Sequence, residues 1–214
     1  MSGHEHDSMT NAVVYIVDDD PSVRRALARL VRSVGLQVET FPSAKTFLDH
    51  PAPDRPACLV LDIRLPGPSG LDLQSTLIQT RRDIPIIFIT GHGDVPTSVR
   101  AMKGGAVDFL QKPFNDQDLL DCIHHAIVMA RQQRIERAER AELQSRFATL
   151  TPREREVLAL VVTGILNKQI ADRLGIAEKT TKVHRGRVMD KMQAQSVPDL
   201  VQMAEKLKQP PPRQ

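Results

Sequence analysis

The sequence predicts a doubly wound α/β fold on a five-stranded parallel sheet, followed by an all-α helix-turn-helix domain. Three observations carry this. Five short apolar segments, AVVYIV, LQVET, ACLVL, IPIIFI and VDFLQ, alternate with amphipathic stretches of helical period. Two of them, around Leu59–Val60–Leu61 and Ile84 to Ile89, are almost continuously apolar, the pattern of strands buried on both faces of a parallel sheet. Beyond about Thr149 the chain offers four helical stretches and no strand pattern.

Taken in order, strands are expected near residues 12–17, 36–40, 57–62, 84–90 and 107–111, with helices near 21–34, 43–50, 70–80, 94–104 and 116–130. Alternating strands and helices with right-handed crossovers give a sheet whose ligand site lies beyond the carboxyl ends of the strands. From Ala130 to Phe147 the sequence ARQQRIERAERAELQSRF has no Gly or Pro. Glu136 with Arg140 and Glu142 with Arg146 stand at i,i+4 in the favourable order, so a solvated helical linker is expected. Its thin apolar stripe (Ile127, Ile135, Ala138, Leu143, Phe147) leaves pairing with a second copy open.

The helical module opens at Thr151-Pro152-Arg153-Glu154, an N-cap, a proline at the first helical position and an acid at the third, which is a capping box. That helix runs to about Val162 and is closed by Gly164. A short helix over 168–174 ends at Gly175, a longer basic one follows over 178–192, and a fourth covers 198–207. Two helices joined by Gly175-Ile176-Ala177, the second basic, form a helix-turn-helix signature. The expected organisation is a disordered tail over 1–11, an α/β domain over 12–130, a linker over 131–147, a helical domain over 148–208 and a tail over 209–214.

At 214 residues and 41% hydrophobic content, the chain has material for two packed cores. No apolar run approaches the length of a membrane span, so no membrane partner is expected. The N-terminus lacks the layout of a signal peptide, and its His4 and His6 are read as residues of a solvated tail. Two cysteines, Cys58 and Cys122, lack metal-site spacing and suit a reducing cytoplasm. The net charge of +3 is unevenly spread. Lys179, Lys182, Arg185, Arg187 and Lys191 gather on one helix, while Asp18, Asp19, Asp20 and Asp62 gather in the first module, so each module attracts a different partner.

Polar residues stand at the strand ends: Asp18 and Asp19 after the first, Asp62 at the third, Thr90 at the fourth, Lys112 after the fifth. In the strand order 2-1-3-4-5, strands one and three are neighbours and their acids converge. Carboxylates about 4 Å apart repel by about 4 kcal/mol at an effective dielectric near 20. They stay ionised together only around a cation, and oxygen ligands with room for water favour Mg²⁺ (or Mn²⁺). Such a site turns one carboxylate into a nucleophile toward phosphorus, with Lys112 and Thr90 placed to meet phosphate oxygens. Asp20, before Pro21 and Ser22, is instead suited to capping a helix.

Together these residues are specific. The chain resembles the two-component response regulators, a receiver domain followed by a LuxR/NarL-type helix-turn-helix, and within them the FixJ subfamily. The resemblance rests on VDDD at 17–20, LVLDIRLPGPSG at 59–70, FITGHGDV at 88–95, MKGGAVDFLQKPF at 102–114, LTPREREVL at 150–158, NKQIADRLGI at 167–176 and KTTKVHRGRVMDKM at 179–192. It implies a flavodoxin-like receiver with Asp62 as phosphoacceptor. Asp19, Asp62 and the backbone carbonyl of Arg64 would bind Mg²⁺, with Asp18 assisting through water. Thr90 and Phe109 would be the switch pair, and Lys112, before a cis Pro113, would pair with the phosphoaspartate. Dimerisation would use the helix near 94–104 and strand five, through Val95, Val99 and Met102. His92 is read as an exposed loop residue, and His124 and His125 as surface or interface residues.

On the basic helix, Thr181, His184, Val188 and Met192 share a face that packs inward, and Lys179, Lys182, Val183 and Gly186 share the opposite one. Lys182 and Val183 are the expected base contacts. Lys168, Lys179, Thr180, Arg185 and Arg187 are the expected phosphate contacts. Two departures from the family pattern stand out: Thr181 replaces a usual buried valine, and Gly186 leaves a groove-facing position bare at a cost of about 1 kcal/mol of helix propensity.

The expected function is a phosphorylation-controlled transcription regulator, an activator that takes phosphate from a sensor histidine kinase, dimerises, binds promoter DNA at half-sites about one helical turn apart and engages RNA polymerase. It is expected to catalyse only its own phosphorylation and dephosphorylation. Two alternatives are an aspartate-nucleophile phosphohydrolase of the haloacid dehalogenase class, which wants an acid where Arg64 stands, and a constitutive DNA-binding protein with a vestigial receiver.

Overall fold

The structure is a computed structural model and describes residues 11–80, 82–91 and 95–208. The expectations for His4, His6, His92, the first ten residues and the tail over 209–214 lie outside the described residues. By compactness the chain divides into two units between Arg134 and Ile135.

The first unit alternates β1 (Val13–Val17), α1 (Pro21–Ser33), β2 (Gln37–Phe41), α2 (Ala44–Leu48), β3 (Ala57–Asp62), α3 (Gly70–Gln79), β4 (Ile86–Thr90), α4 (Val95–Lys103) and β5 (Asp108–Gln111), and then enters α5 (Asp116–Ala148). The strands form one parallel sheet in the order β2-β1-β3-β4-β5. Because side chains alternate along a strand, the sheet feeds two cores. Val13, Tyr15, Val17, Leu59, Leu61 and Phe88 pack with Phe47 of α2, Leu73 and Leu77 of α3 and Ala101 of α4. Val14, Ile16, Val60, Ile87 and Ile89 pack on the other face with Leu27 and Val31 of α1 and Leu119, Ile123 and Ile127 of α5. The continuously apolar strands are therefore buried on both sides.

Local chemistry fixes the helix starts. Asp20 caps α1, its carboxylate accepting from the Ser22 amide at 2.7 Å. Ser69 and Asp72 form a capping box on α3. The last receiver helix and the linker, expected as separate stretches, are one helix of 33 residues, since nothing in the sequence between them breaks a helix. Of the two i,i+4 pairs expected there, Arg146 pairs with Glu142.

The second unit adds α6 (Pro152–Val161), α7 (Asn167–Leu174), α8 (Glu178–Met192) and α9 (Val197–Lys208). Leu150, Val157, Leu158, Val161, Ile170, Val188, Met192 and Leu200 make its core. Gly175 (φ 63°) caps α7 in the left-handed region, and Gly164 (φ 82°) takes the same region in the turn after α6, positions where a side chain would be strained.

The predicted capping box forms, and it does more than cap. Thr151 accepts from the Glu154 amide and Glu154 accepts from the Thr151 amide. The same carboxylate takes Lys191 Nζ of α8 at 2.7 Å, and Lys191 also donates to the Thr149 carbonyl at 3.0 Å. The end of α8 is thereby tied to the start of α6. The Lys191 hydrogen bond, helped by the Thr151 amide, holds the Glu154 carboxyl down at about 2, below its ordinary 4.5. A depressed acid stabilises the fold at pH above its unfolded value and loses that contribution as pH falls toward the folded one. The helical unit is expected to lose stability between pH 4.5 and 2. Glu154→Gln should be less stable at neutral pH and flatter across that window, as read by urea unfolding monitored by circular dichroism.

Candidate phosphoryl pocket and nucleic-acid face

Asp18 is the first residue past β1, and Asp62 is the last of β3. The two strands are neighbours in parallel register, Val17 opposite Leu61, so the acids emerge side by side. Thr90 ends β4 beside Gln111, and Lys112 follows, its amide donating to the Thr90 carbonyl at 2.7 Å before a cis bond to Pro113. The sheet thus brings Asp18, Asp62, Thr90 and Lys112 to one edge.

Lys112 Nζ lies 2.8 Å from Asp18 Oδ2 and 2.8 Å from Asp62 Oδ2. Both carboxylates are buried, Asp18 at 1% exposure and Asp62 at 8%. Each also takes a backbone amide on its other oxygen: Asp20 N to Asp18 at 2.8 Å, and Arg64 N to Asp62 at 2.9 Å. Burial raises the pKa of Asp18, outweighing Lys112 and the Asp20 amide, which act to lower it. For Lys112 burial acts downward, but its hydrogen bonds to Asp18 and Asp62 outweigh burial and raise it, so the ammonium is firmly charged.

Asp19 stands exposed beside them. Asp18, Asp19 and Asp62 each offer an oxygen, all within 4.8 Å of one another. Two buried acids against one lysine, with a third acid at the mouth, leave excess negative charge where a hard divalent cation would bind, and an all-oxygen set suits Mg²⁺. Thr90 is wholly buried, and Phe109 is half-buried against the first core. Val95, Val99 and Met102 of α4 are 75%, 43% and 45% exposed, an apolar strip facing solvent.

Two parts of this site were not anticipated. Arg24 of α1 donates Nη1 to the Asp18 carbonyl at 2.6 Å, fixing the loop that carries the acids. Gly70, the first residue of α3, lies so close to the end of β3 that a Cβ there would meet the Asp62 carbonyl oxygen at 2.4 Å. The LPGPSG run marks a turn, but only the fold shows what the final glycine avoids.

In the helical unit, Thr181, Val188 and Met192 are buried as expected, and the Thr181 hydroxyl is satisfied by the Ala177 carbonyl at 3.4 Å. His184 is half-buried, its Nδ1 enclosed. Lys168, Lys179, Thr180, Lys182, Val183, Gly186 and Arg187 are exposed, with Lys182 3.3 Å from Glu178 one turn back. A Cβ at Gly186 would meet nothing within 4 Å. Arg185 differs from the other expected phosphate contacts: it is half-buried and donates Nη1 to Asn167 Oδ1 of α7 at 2.9 Å.

Residues 14–124 match the family described as response regulator receiver domain, and residues 148–204 that of bacterial regulatory proteins, luxR family. Nodulation protein W of Bradyrhizobium diazoefficiens is 54% identical over 205 residues, covering 96% of this chain and 90% of that one. Transcriptional regulatory protein FixJ of Azorhizobium caulinodans is 44% identical over 191 residues, covering 89% of this chain and 90% of that one. The solved structure of response regulator StyR superposes with a TM-score of 0.81 at 49% identity, covering 92% of this chain and 99% of that one.

The chain is a two-component response regulator of the FixJ/NarL type.

Its pairing of a receiver with a LuxR-type domain makes it a transcriptional regulator, with a histidine kinase and DNA as the partners those domains imply. Among the described residues no helix is long and apolar enough to cross a membrane. The tight approach of Gly70 sets an expectation for this response regulator. Gly70→Ala should destabilise the receiver by about 1–3 kcal/mol, the usual cost of forcing an atom into packed backbone, seen as a lower urea midpoint of its unfolding transition.

Proposed function

We propose that this response regulator accepts a phosphoryl group on Asp62 and answers by dimerising and binding promoter DNA as an activator. The observation that supports this most directly is the pair of 2.8 Å contacts from Lys112 to Asp18 and Asp62. They fix the Asp62 carboxylate at the end of β3 while leaving the exposed side of the pocket, marked by Asp19, to an incoming ligand.

Asp19, Asp62 and the Arg64 carbonyl would hold Mg²⁺ (or Mn²⁺), with Asp18 reached through water; bound there, the cation neutralises charge on the phosphoryl oxygens. Asp62 attacks phosphorus, and the bond to the kinase histidine breaks as the P–O bond to the carboxylate forms. Lys112 then exchanges a carboxylate partner for a phosphate oxygen, keeping its tie to Asp18. Thr90, one strand away, turns its hydroxyl to the phosphate, and Phe109 on β5 moves into the space that Thr90 leaves. What supports this pairing is that Thr90 is buried on β4 and Phe109 half-buried on the neighbouring β5, in a register that puts both on one face of the sheet. The readout is at α4 and β5, where Val95, Val99 and Met102 pair with a second copy.

In the dimer, α8 of each copy enters a major groove. Lys182 and Val183 meet base edges, Gly186 lets the backbone approach, and Lys168, Lys179, Thr180, Arg185 and Arg187 meet phosphates. Contact with RNA polymerase then raises transcription, and the setting is the cytoplasm, consistent with two unpaired thiols, Cys58 and Cys122.

With a small-molecule phosphodonor and Mg²⁺, the wild-type chain should shift from monomer to dimer in sedimentation velocity. Asp62→Ala should stay monomeric, as should wild type in a chelator; a dimer formed equally by Asp62→Ala would defeat the proposal. Lys182→Ala should cost about 1–3 kcal/mol in binding to the cognate operator and relax its sequence preference, read by fluorescence anisotropy against operator and scrambled duplexes.

A further inference from the structure

We propose that Asn167 is a positioning residue for DNA binding: it holds the Arg185 guanidinium in place, with its charge uncompensated, as a ready-made clamp for a DNA phosphate. The inference rests on the reading that α8 meets DNA, and it assigns a role to a residue of the supporting helix that no base or phosphate contact requires.

Helix geometry places Arg185 first. At 3.6 residues per turn, Arg185 lies one turn after Thr181 and just under one turn before Val188, and both of those are buried. Arg185 therefore leaves α8 at the margin of its inward face, beside α7, and not from the outer stripe of Lys182, Val183 and Gly186. A long cationic side chain at such a margin would ordinarily sweep through many rotamers. Here it is half-buried and its Nη1 is fixed 2.9 Å from Asn167 Oδ1, the first residue of α7.

The chemistry of the holder matters. Lys182 is paired with Glu178, Lys191 with Glu154 and Arg153 with Glu156, so each of those cations faces a carboxylate. Among the described residues no carboxylate pairs with Arg185; its partner is a neutral amide oxygen. A carboxamide can freeze a guanidinium without cancelling its charge, whereas a carboxylate does both. Arginine carries five N–H donors, so one bond to Asn167 leaves the planar fork that matches phosphate. The rotamer entropy that phosphate binding would otherwise cost has been spent on folding. Lys168, the next residue after Asn167, is exposed and adds a second cation at the start of α7.

The test uses the full-length chain and a fluorescein-labelled duplex of mixed sequence, with anisotropy titrations over a range of salt. Arg185→Ala should weaken binding and shorten the slope of log affinity against log salt by about 0.9, the loss of one phosphate contact. Asn167→Ala should weaken binding about 3- to 10-fold, the range of one hydrogen bond, and leave the slope at the wild-type value because the charge remains. The double variant should bind no more weakly than Arg185→Ala alone. Asn167→Asp keeps an acceptor and suits a helix start, but it cancels the guanidinium; it should shorten the slope as Arg185→Ala does while melting at the wild-type temperature. Lys182→Ala serves as the reference for α8 contact. If Lys182→Ala and Arg185→Ala both bind as wild type, the DNA reading and this inference fall together. If Arg185→Ala is weakened while Asn167→Ala binds as wild type, or the two losses simply add, the positioning role alone is overturned.

Discussion

Two buried carboxylates share one lysine, and the receiver is organised around keeping that arrangement intact. Asp18 and Asp62 would repel each other strongly at the ends of neighbouring strands without the ammonium of Lys112 between them. The lysine comes from the far side of the sheet, and β3, β4 and β5 must all keep their register for its Nζ to arrive there. Amides from Asp20 and Arg64 and the guanidinium of Arg24 hold the loops that carry the acids. The apolar layers above and below the sheet exist on this view to make the strand ends rigid. A pocket with unbalanced charge and fixed geometry is poised for a ligand that changes its charge.

The helical unit solves a different problem with similar means. Val188 and Met192 anchor the basic helix in a small core, and polar ties add to that hold. Lys191 joins Glu154 and the Thr149 carbonyl, and Arg146 donates to the Met192 carbonyl at 3.2 Å. Arg185 meets Asn167 from the middle of the helix. α8 is therefore held at its C-terminal end and at its centre by side chains that cross to other helices of its unit, while Lys182, Val183 and Gly186 stay exposed.

Much of this was legible in the sequence because chemistry and periodicity agree there. The strands read correctly since parallel strands buried on both faces leave unbroken apolar runs, and the convergence of Asp18, Asp19, Asp62 and Lys112 was legible since polar residues interrupt those runs only at their ends. Thr151 with Glu154 announced a helix start from four adjacent residues. What escaped depends on approach between segments distant in the chain. Arg24 looks like any solvated arginine on an amphipathic helix until its reach to the Asp18 carbonyl is seen. Gly70 looks like turn punctuation until the Asp62 carbonyl appears beneath it. Asn167 and Arg185 are eighteen positions apart, and no local pattern pairs them. The boundary between receiver and linker failed to appear as a break because good helix formers run straight through it.

Gly186 carries an evolutionary implication. It stands on the outer stripe of α8, and a Cβ added there would meet nothing within 4 Å. Replacing a mid-helix glycine also recovers about 1 kcal/mol of helix propensity. Most changes to a recognition surface disturb packing and must be compensated elsewhere. On the proposed reading of α8 as the DNA-contacting helix, a substitution here changes base preference in a single step while helix propensity rises, so paralogues can diverge toward separate sets of promoters without passing through a weakened intermediate.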